Sequence, residues 1–100
     1  MLFRSHLPHL ISSALSFTIS EQAKLASELS GQGLRDTIRI SGGDPSLWAG
    51  IFSENKAQVL SSLKDFEDSI QIIKDLISKD ERKGLEEFLK KGSLLQKSVY

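Results

Sequence analysis

The sequence has no cysteine, which excludes disulfides and thiolate metal sites and suits a reducing cytoplasm. It has only two prolines in 100 residues, a scarcity that favours long helices over a turn-rich β fold. No stretch approaches the ~20 consecutive apolar residues that span a bilayer. The start, Met1-Leu2-Phe3-Arg4, lacks the charged beginning and unbroken apolar run of a signal peptide. Neither sign of charge is in excess, with 13 basic residues against 13 acidic ones. Both halves of the chain are balanced as well, so there is no basic patch to recruit nucleic acid or an anionic membrane. Internal repeats and low-complexity linkers are also missing.

What is present fits one small helical domain over residues 1–100, with residues 1–4 and 92–100 as frayed ends. A chain of this size buries roughly 60–70% of the surface it exposes unfolded, enough for one modest core. A first helix is expected to start at Ser5, whose hydroxyl can cap the free N–H groups of the first turn, with Pro8 inside that turn. Leu7, Leu10, Ile11, Ala14, Leu15 and Thr18 then form an apolar face at helical spacing. Ser20 reads as the cap of a short second helix, or of a continuation, through Ala23, Leu25, Ala26 and Leu29, ended by Gly31 and Gly33.

Residues 31–44 are the least regular part. Thr37, Ile38 and Ile40 are β-branched, but no other segment offers a pairing strand, so a helical turn or ordered loop is the better reading. Asp44-Pro45 is a helix start, Asp44 capping and Pro45 first in the helix. A long helical pattern follows to about residue 78, with a bend near Ser53. Val59, Leu63, Phe66, Ile70, Ile73 and Ile77 alternate steps of four and three, the 3.5-residue period of coiled-coil packing. Leu60, Ile72 and Leu76 widen that seam beyond what one partner helix covers. Ser78-Lys79-Asp80-Glu81 reads as a capping box opening a last helix with Leu85, Phe88 and Leu89 turned inward. On its wet face, Glu86/Lys90 and Glu87/Lys91 stand four apart, each worth ~0.3 kcal/mol.

Three short stretches carry chemistry. In Ser5-His6-Leu7-Pro8-His9, two imidazoles three residues apart share a face at a helix N-terminus, where partial positive charge attracts anions. They read as surface histidines beside a cap, as hydrogen-bond donors to an anionic or hydroxylated ligand, or as two ligands of a metal that lacks an obvious third. In Gly33-Leu34-Arg35-Asp36-Thr37-Ile38-Arg39, Arg39 can clamp a carboxylate with two parallel N–H bonds or form a structural ion pair with Asp36 or Asp44. In Asp44-Pro45-Ser46-Leu47-Trp48, the single tryptophan reads as core or as a ligand contact, and Asn55 as an inward polar contact or a solvated one. No dinucleotide loop is visible: Gly31-Gln32-Gly33 is the only candidate, and Asp36 close behind it would repel phosphate.

Taken in order and spacing, these three stretches, with Asn55 and the long apolar helix after them, resemble the C-terminal helical domain of prephenate and arogenate dehydrogenases over about residues 5–90. The resemblance implies an all-α dimerisation domain of the kind that follows a Rossmann domain. It implies an enzyme that oxidises prephenate or arogenate with NAD or NADP and releases carbon dioxide on the route to tyrosine, in the cytoplasm. It implies a homodimer through the helices, with His9 and Arg39 as substrate binders, Arg39 gripping a carboxylate, and the arginine segment able to reach the partner subunit's site. His6 and Asp36 become neighbours in the same polar network, and Trp48 a pocket-wall residue. The cofactor domain, and with it the catalytic histidine, is missing from these 100 residues. No catalytic, cofactor-binding or metal-ligating residue is therefore assigned, and neither His6 nor His9 is given the catalytic role. The chain alone is expected to be inactive and to bind no cofactor, whether as a truncated gene, a split gene or an excised domain. Gln32 departs from the family pattern where a further glycine is usual. The rival reading is a non-catalytic helical association module, or a remnant that pairs with a full-length homologue.

Overall fold

A computed structural model describes residues 6–22 and 31–99. The fold is all-α. Five helices lie among the described residues, and no strand: α1 (Leu7–Gln22), α2 (Gln32–Arg39), α3 (Pro45–Glu54), α4 (Lys56–Ser78) and α5 (Arg82–Val99). The chain forms two compact units, Met1–Leu63 and Lys64–Tyr100, whose boundary falls inside α4.

The local signals act largely as the chemistry requires. Pro8 sits at the second position of α1, where no intrahelical N–H bond is lost. The Asp44 carboxylate accepts from the Ser46 N–H at 3.0 Å and Pro45 opens α3. The stretch 31–44 is mostly helix: Thr37 and Ile38 lie inside α2, and the Thr37 hydroxyl returns to the Gly33 carbonyl at 2.9 Å. The break in the long helical pattern comes at Asn55, two residues after the expected bend at Ser53. Asn55 leaves helical geometry (φ −115°, ψ 33°), and its amide donates back to the Ile51 carbonyl at 2.7 Å, which closes the end of α3.

Four expectations are corrected. Ser20 lies within α1, its hydroxyl donating to the Phe17 carbonyl at 2.8 Å, so it caps no new helix; the segment Ala23–Leu29 and the Ser5 cap lie outside the described residues. Gly33 does not end a helix: it lies in the first turn of α2, which starts from Gly31. Ser78 is not the cap of α5, because its hydroxyl donates to the Asp75 carbonyl inside α4. The α4 terminus closes instead through Asp80 in the left-handed region (φ 55°), with Asp80 N–H donating to Ile77 O at 3.2 Å and Glu81 N–H to Leu76 O at 3.0 Å. Glu86 pairs backward with Arg82 at 3.4 Å rather than forward with Lys90, and Glu87/Lys91 is not an ion pair of the described residues. The stretch 92–99 continues α5 and is exposed throughout.

In the first unit, α1 packs on α2, and Val59 and Ser62 of α4 are buried. The buried stripe of α1 is not its apolar one: His9 and Ser12 are its buried residues, while Ala14 and Thr18 are exposed. In the second unit none of the described residues is buried. There, a β-carbon on Gly84 would come within 2.9 Å of Leu76 Cδ2, so the first turn of α5 rests on Leu76. An open groove of about 390 Å³ lies beside this contact, lined by Leu76, Ile77, Asp80, Arg82 and Leu85.

Candidate functional site

The site is built on the polar stripe of α1. His9, Ser12 and Ser16 follow one another at steps of three and four, which places them on one helix face. Ser12 is 2% exposed, and its hydroxyl donates to the Thr37 carbonyl at 2.7 Å. Thr37 stands in the last turn of α2, where carbonyls have no partner within the helix, so Ser12 supplies from α1 the donor that α2 lacks. One turn on, the Ser16 and Ser41 hydroxyls meet at 3.2 Å, and Ser41 Oγ also donates to Ile38 O at 2.6 Å. Gly42 N–H closes on the Arg39 carbonyl at 3.1 Å. The end of α2 that carries Arg39 is thus fixed to α1 by two serines. The Arg39 side chain is exposed and makes no ion pair among the described residues, so the structural pairing with Asp36 or Asp44 is not formed.

The second component is aromatic. The Asp44-Pro45 start directs α3 so that Trp48 and Phe52, one turn apart, share a face. The Trp48 indole stacks on the His9 imidazole with centroids 4.0 Å apart and planes 13° from parallel. Phe52 lies 5.5 Å from Trp48 and 6.0 Å from His9. His6 meets both rings edge-on, at 6.0 Å from Trp48 and 6.3 Å from Phe52. His6 Nδ1 is buried and has no hydrogen-bond partner. Gly43, just before the cap, has φ +124°, and a β-carbon there would stand 3.1 Å from Trp48 Nε1. Only glycine suits both that backbone and that contact.

Of the residues singled out in the sequence, His6, His9 and Trp48 therefore come together. Arg39 stands at the end of the neighbouring helix, and Asp36 one turn earlier on it. Asp36 is exposed and accepts from Gln32 Nε2 at 2.9 Å; no bond joins it to His6 or Arg39 among the described residues. No group of three His, Asp or Glu side chains converges as a metal site among the described residues. Ser12, Ser16, Ser41, Gly43 and Phe52 were not singled out. Their signal was the serine spacing behind His9 and the glycine ahead of Asp44-Pro45.

A model of the family described as prephenate dehydrogenase, dimerization domain, matches residues 1–91. The chain belongs to that family. No solved structure matches this dimerization domain. Membership implies NAD(P) in the full enzyme, and the residues here do not fit that cofactor. Gly31-Gln32-Gly33 lead into an eight-residue helix with the Asp36 carboxylate one turn on, and no strand occurs among the described residues to build a dinucleotide-binding unit. No described helix of the dimerization domain is long and apolar enough to cross a membrane.

Proposed function

We propose that this chain is the dimer-forming and substrate-binding part of a prephenate or arogenate dehydrogenase of tyrosine biosynthesis, working in the cytoplasm, and that these 100 residues are inactive without a cofactor-binding domain. One observation carries the pairing. Among the described large apolar side chains only Val59 is buried, while Ile70, Ile72 and Ile77 of α4 and Leu89, Leu94, Leu95 and Val99 of α5 are exposed. Covering one such side chain is worth about 1.5–3 kcal/mol. A second copy, which carries the same faces, is the partner that membership in a dimerization family favours. Sedimentation velocity at micromolar concentration tests this, and a well-folded monomer would refute it.

The substrate reading rests on His9 and Arg39, with His6, Asp36 and Trp48 around them. Prephenate carries two carboxylates, and a site for it needs fixed cations and donors, which Arg39 and the histidines supply. Aromatisation drives the loss of carbon dioxide, so the task of these residues is orientation and charge placement. The rival, a purely associative module, draws support from the 7% exposure of His9, which leaves little of the imidazole open in one copy. Calorimetry with prephenate, arogenate and tyrosine, in the presence of a complementing cofactor domain, separates the two. Heat with any of them supports the substrate site, and none with all three favours the associative module.

A further inference from the structure

Resting on the reading that His9 contacts substrate, we infer that Gly43 and Trp48 are positioning residues that hold the His9 imidazole in its binding orientation. A histidine on a helix has two soft torsions, and its in-plane nitrogens aim at a ligand only when the ring plane is fixed. The indole at 4.0 Å and 13° covers one face of the imidazole and sets that plane. Phe52, tilted 48° to His9 at 6.0 Å, limits the remaining rotation. With its face against His9, Trp48 acts on substrate through His9.

Gly43 sets the indole in turn. A β-carbon at this position would press on Nε1 at 3.1 Å and on Cδ1 at 3.4 Å, the edge of the indole that faces Gly43. Its φ of +124° adds a strain that L side chains rarely accept. A substitution here must relax either by turning the backbone or by swinging the indole, and both take the plate away from His9. Gly50, in the middle of α3, is the matched control, since a β-carbon there meets nothing within 4 Å.

The test is an NMR titration of the full chain with prephenate, following the His9 ring protons. In the unaltered chain these resonances should lie upfield under the indole ring current and shift on adding prephenate. Gly43→Ala should lose the upfield displacement and bind prephenate about ten-fold more weakly, the size of one lost hydrogen bond. Gly50→Ala should keep both. Trp48→Phe, which retains a flat ring behind the imidazole, should lose less affinity than Trp48→Ala. That pair decides the matter if Gly43→Ala does not fold.

The inference is overturned if Gly43→Ala leaves the His9 resonances in place, or moves them with no change in affinity. It is equally overturned if Trp48→Phe and Trp48→Ala bind alike. If millimolar prephenate leaves the His9 resonances of the unaltered chain unmoved, the substrate reading fails and this inference with it. Binding that is equal in all variants sinks the positioning role alone.

Discussion

Asp80→Gly should stabilise this protein, and the α4 terminus shows why. Asp80 has φ 55°, and its N–H and that of Glu81 close on the Ile77 and Leu76 carbonyls at 3.2 and 3.0 Å. This is the paired C-terminal closure that glycine normally makes. A left-handed L-residue costs about 1–2 kcal/mol, less for aspartate, which enters this region more readily than most L-residues. Glycine removes that cost but gives up about 0.4–1 kcal/mol through its freer unfolded chain. The Asp80 charge is unfavourable at the end of α4 and favourable before the start of α5, so the charge effects oppose and the backbone decides. The balance is a gain of about 0.5–1 kcal/mol, or roughly 2–8 °C in Tm for a domain of this size. Asp80→Ala should move the other way, because it keeps the positive φ and alanine enters that region less readily than aspartate. Thermal unfolding followed by circular dichroism, at one fixed protein concentration, reads both. A Tm for Asp80→Gly at or below that of the unaltered chain, or a rise in Asp80→Ala, would refute the reasoning.

Ser12→Ala should cost about 1–3 kcal/mol in urea unfolding, because a 2%-exposed hydroxyl is lost and the Thr37 carbonyl is left without its 2.7 Å donor; an effect near zero would mean that water replaces the serine. Gly50→Ala should raise stability by about 0.5–1 kcal/mol, since alanine is the better helix former and its methyl meets nothing. Tm should rise with protein concentration, as it does when unfolding is linked to dissociation, and a concentration-independent Tm would count against pairing. Lys64→Ala should leave stability within about 0.5 kcal/mol, because its pair with Asp68 is exposed on both sides.

Much of the fold was legible because its punctuation is local. Asp44-Pro45 starts a helix through chemistry that spans two residues, and the scarcity of proline and the 3.5-residue seam of α4 needed no tertiary knowledge. The break near the middle of the long pattern was legible only to within two residues, since the amide of Asn55 ends α3 by a bond back to Ile51 that spacing does not reveal. The α5 start is not legible because Ser-Lys-Asp-Glu satisfies a capping-box pattern. The chain instead closes α4 through the left-handed Asp80, and only then begins α5. In the site, the resemblance groups His6, His9 and Trp48, and the structure stacks Trp48 on His9 with His6 edge-on to the indole. Ser12 and Gly43 were illegible because their roles depend on what lies opposite: a helix-end carbonyl in one case, an indole edge in the other.

The way residues are sorted in this chain has a physical consequence. In α1 the buried places go to His9 and Ser12, polar groups held by a stack and a hydrogen bond, while isoleucines and leucines of α4 and α5 face outward. Buried polar groups that are satisfied fix one geometry but add little net stability, typically about 0.5–1.5 kcal/mol per bond. Exposed apolar seams contribute nothing until another surface covers them. A single copy therefore holds its candidate site in register mainly through directional contacts and leaves the exposed apolar side chains of α4 and α5 uncovered. Covering those seams would add stability without altering the stack on His9, because the residues involved are different. Pairing and the shape of the site are in this way separable in sequence, and substitutions on the outward faces of α4 and α5 should be sorted from those at Gly43, Ser12 and Trp48 by which property they change.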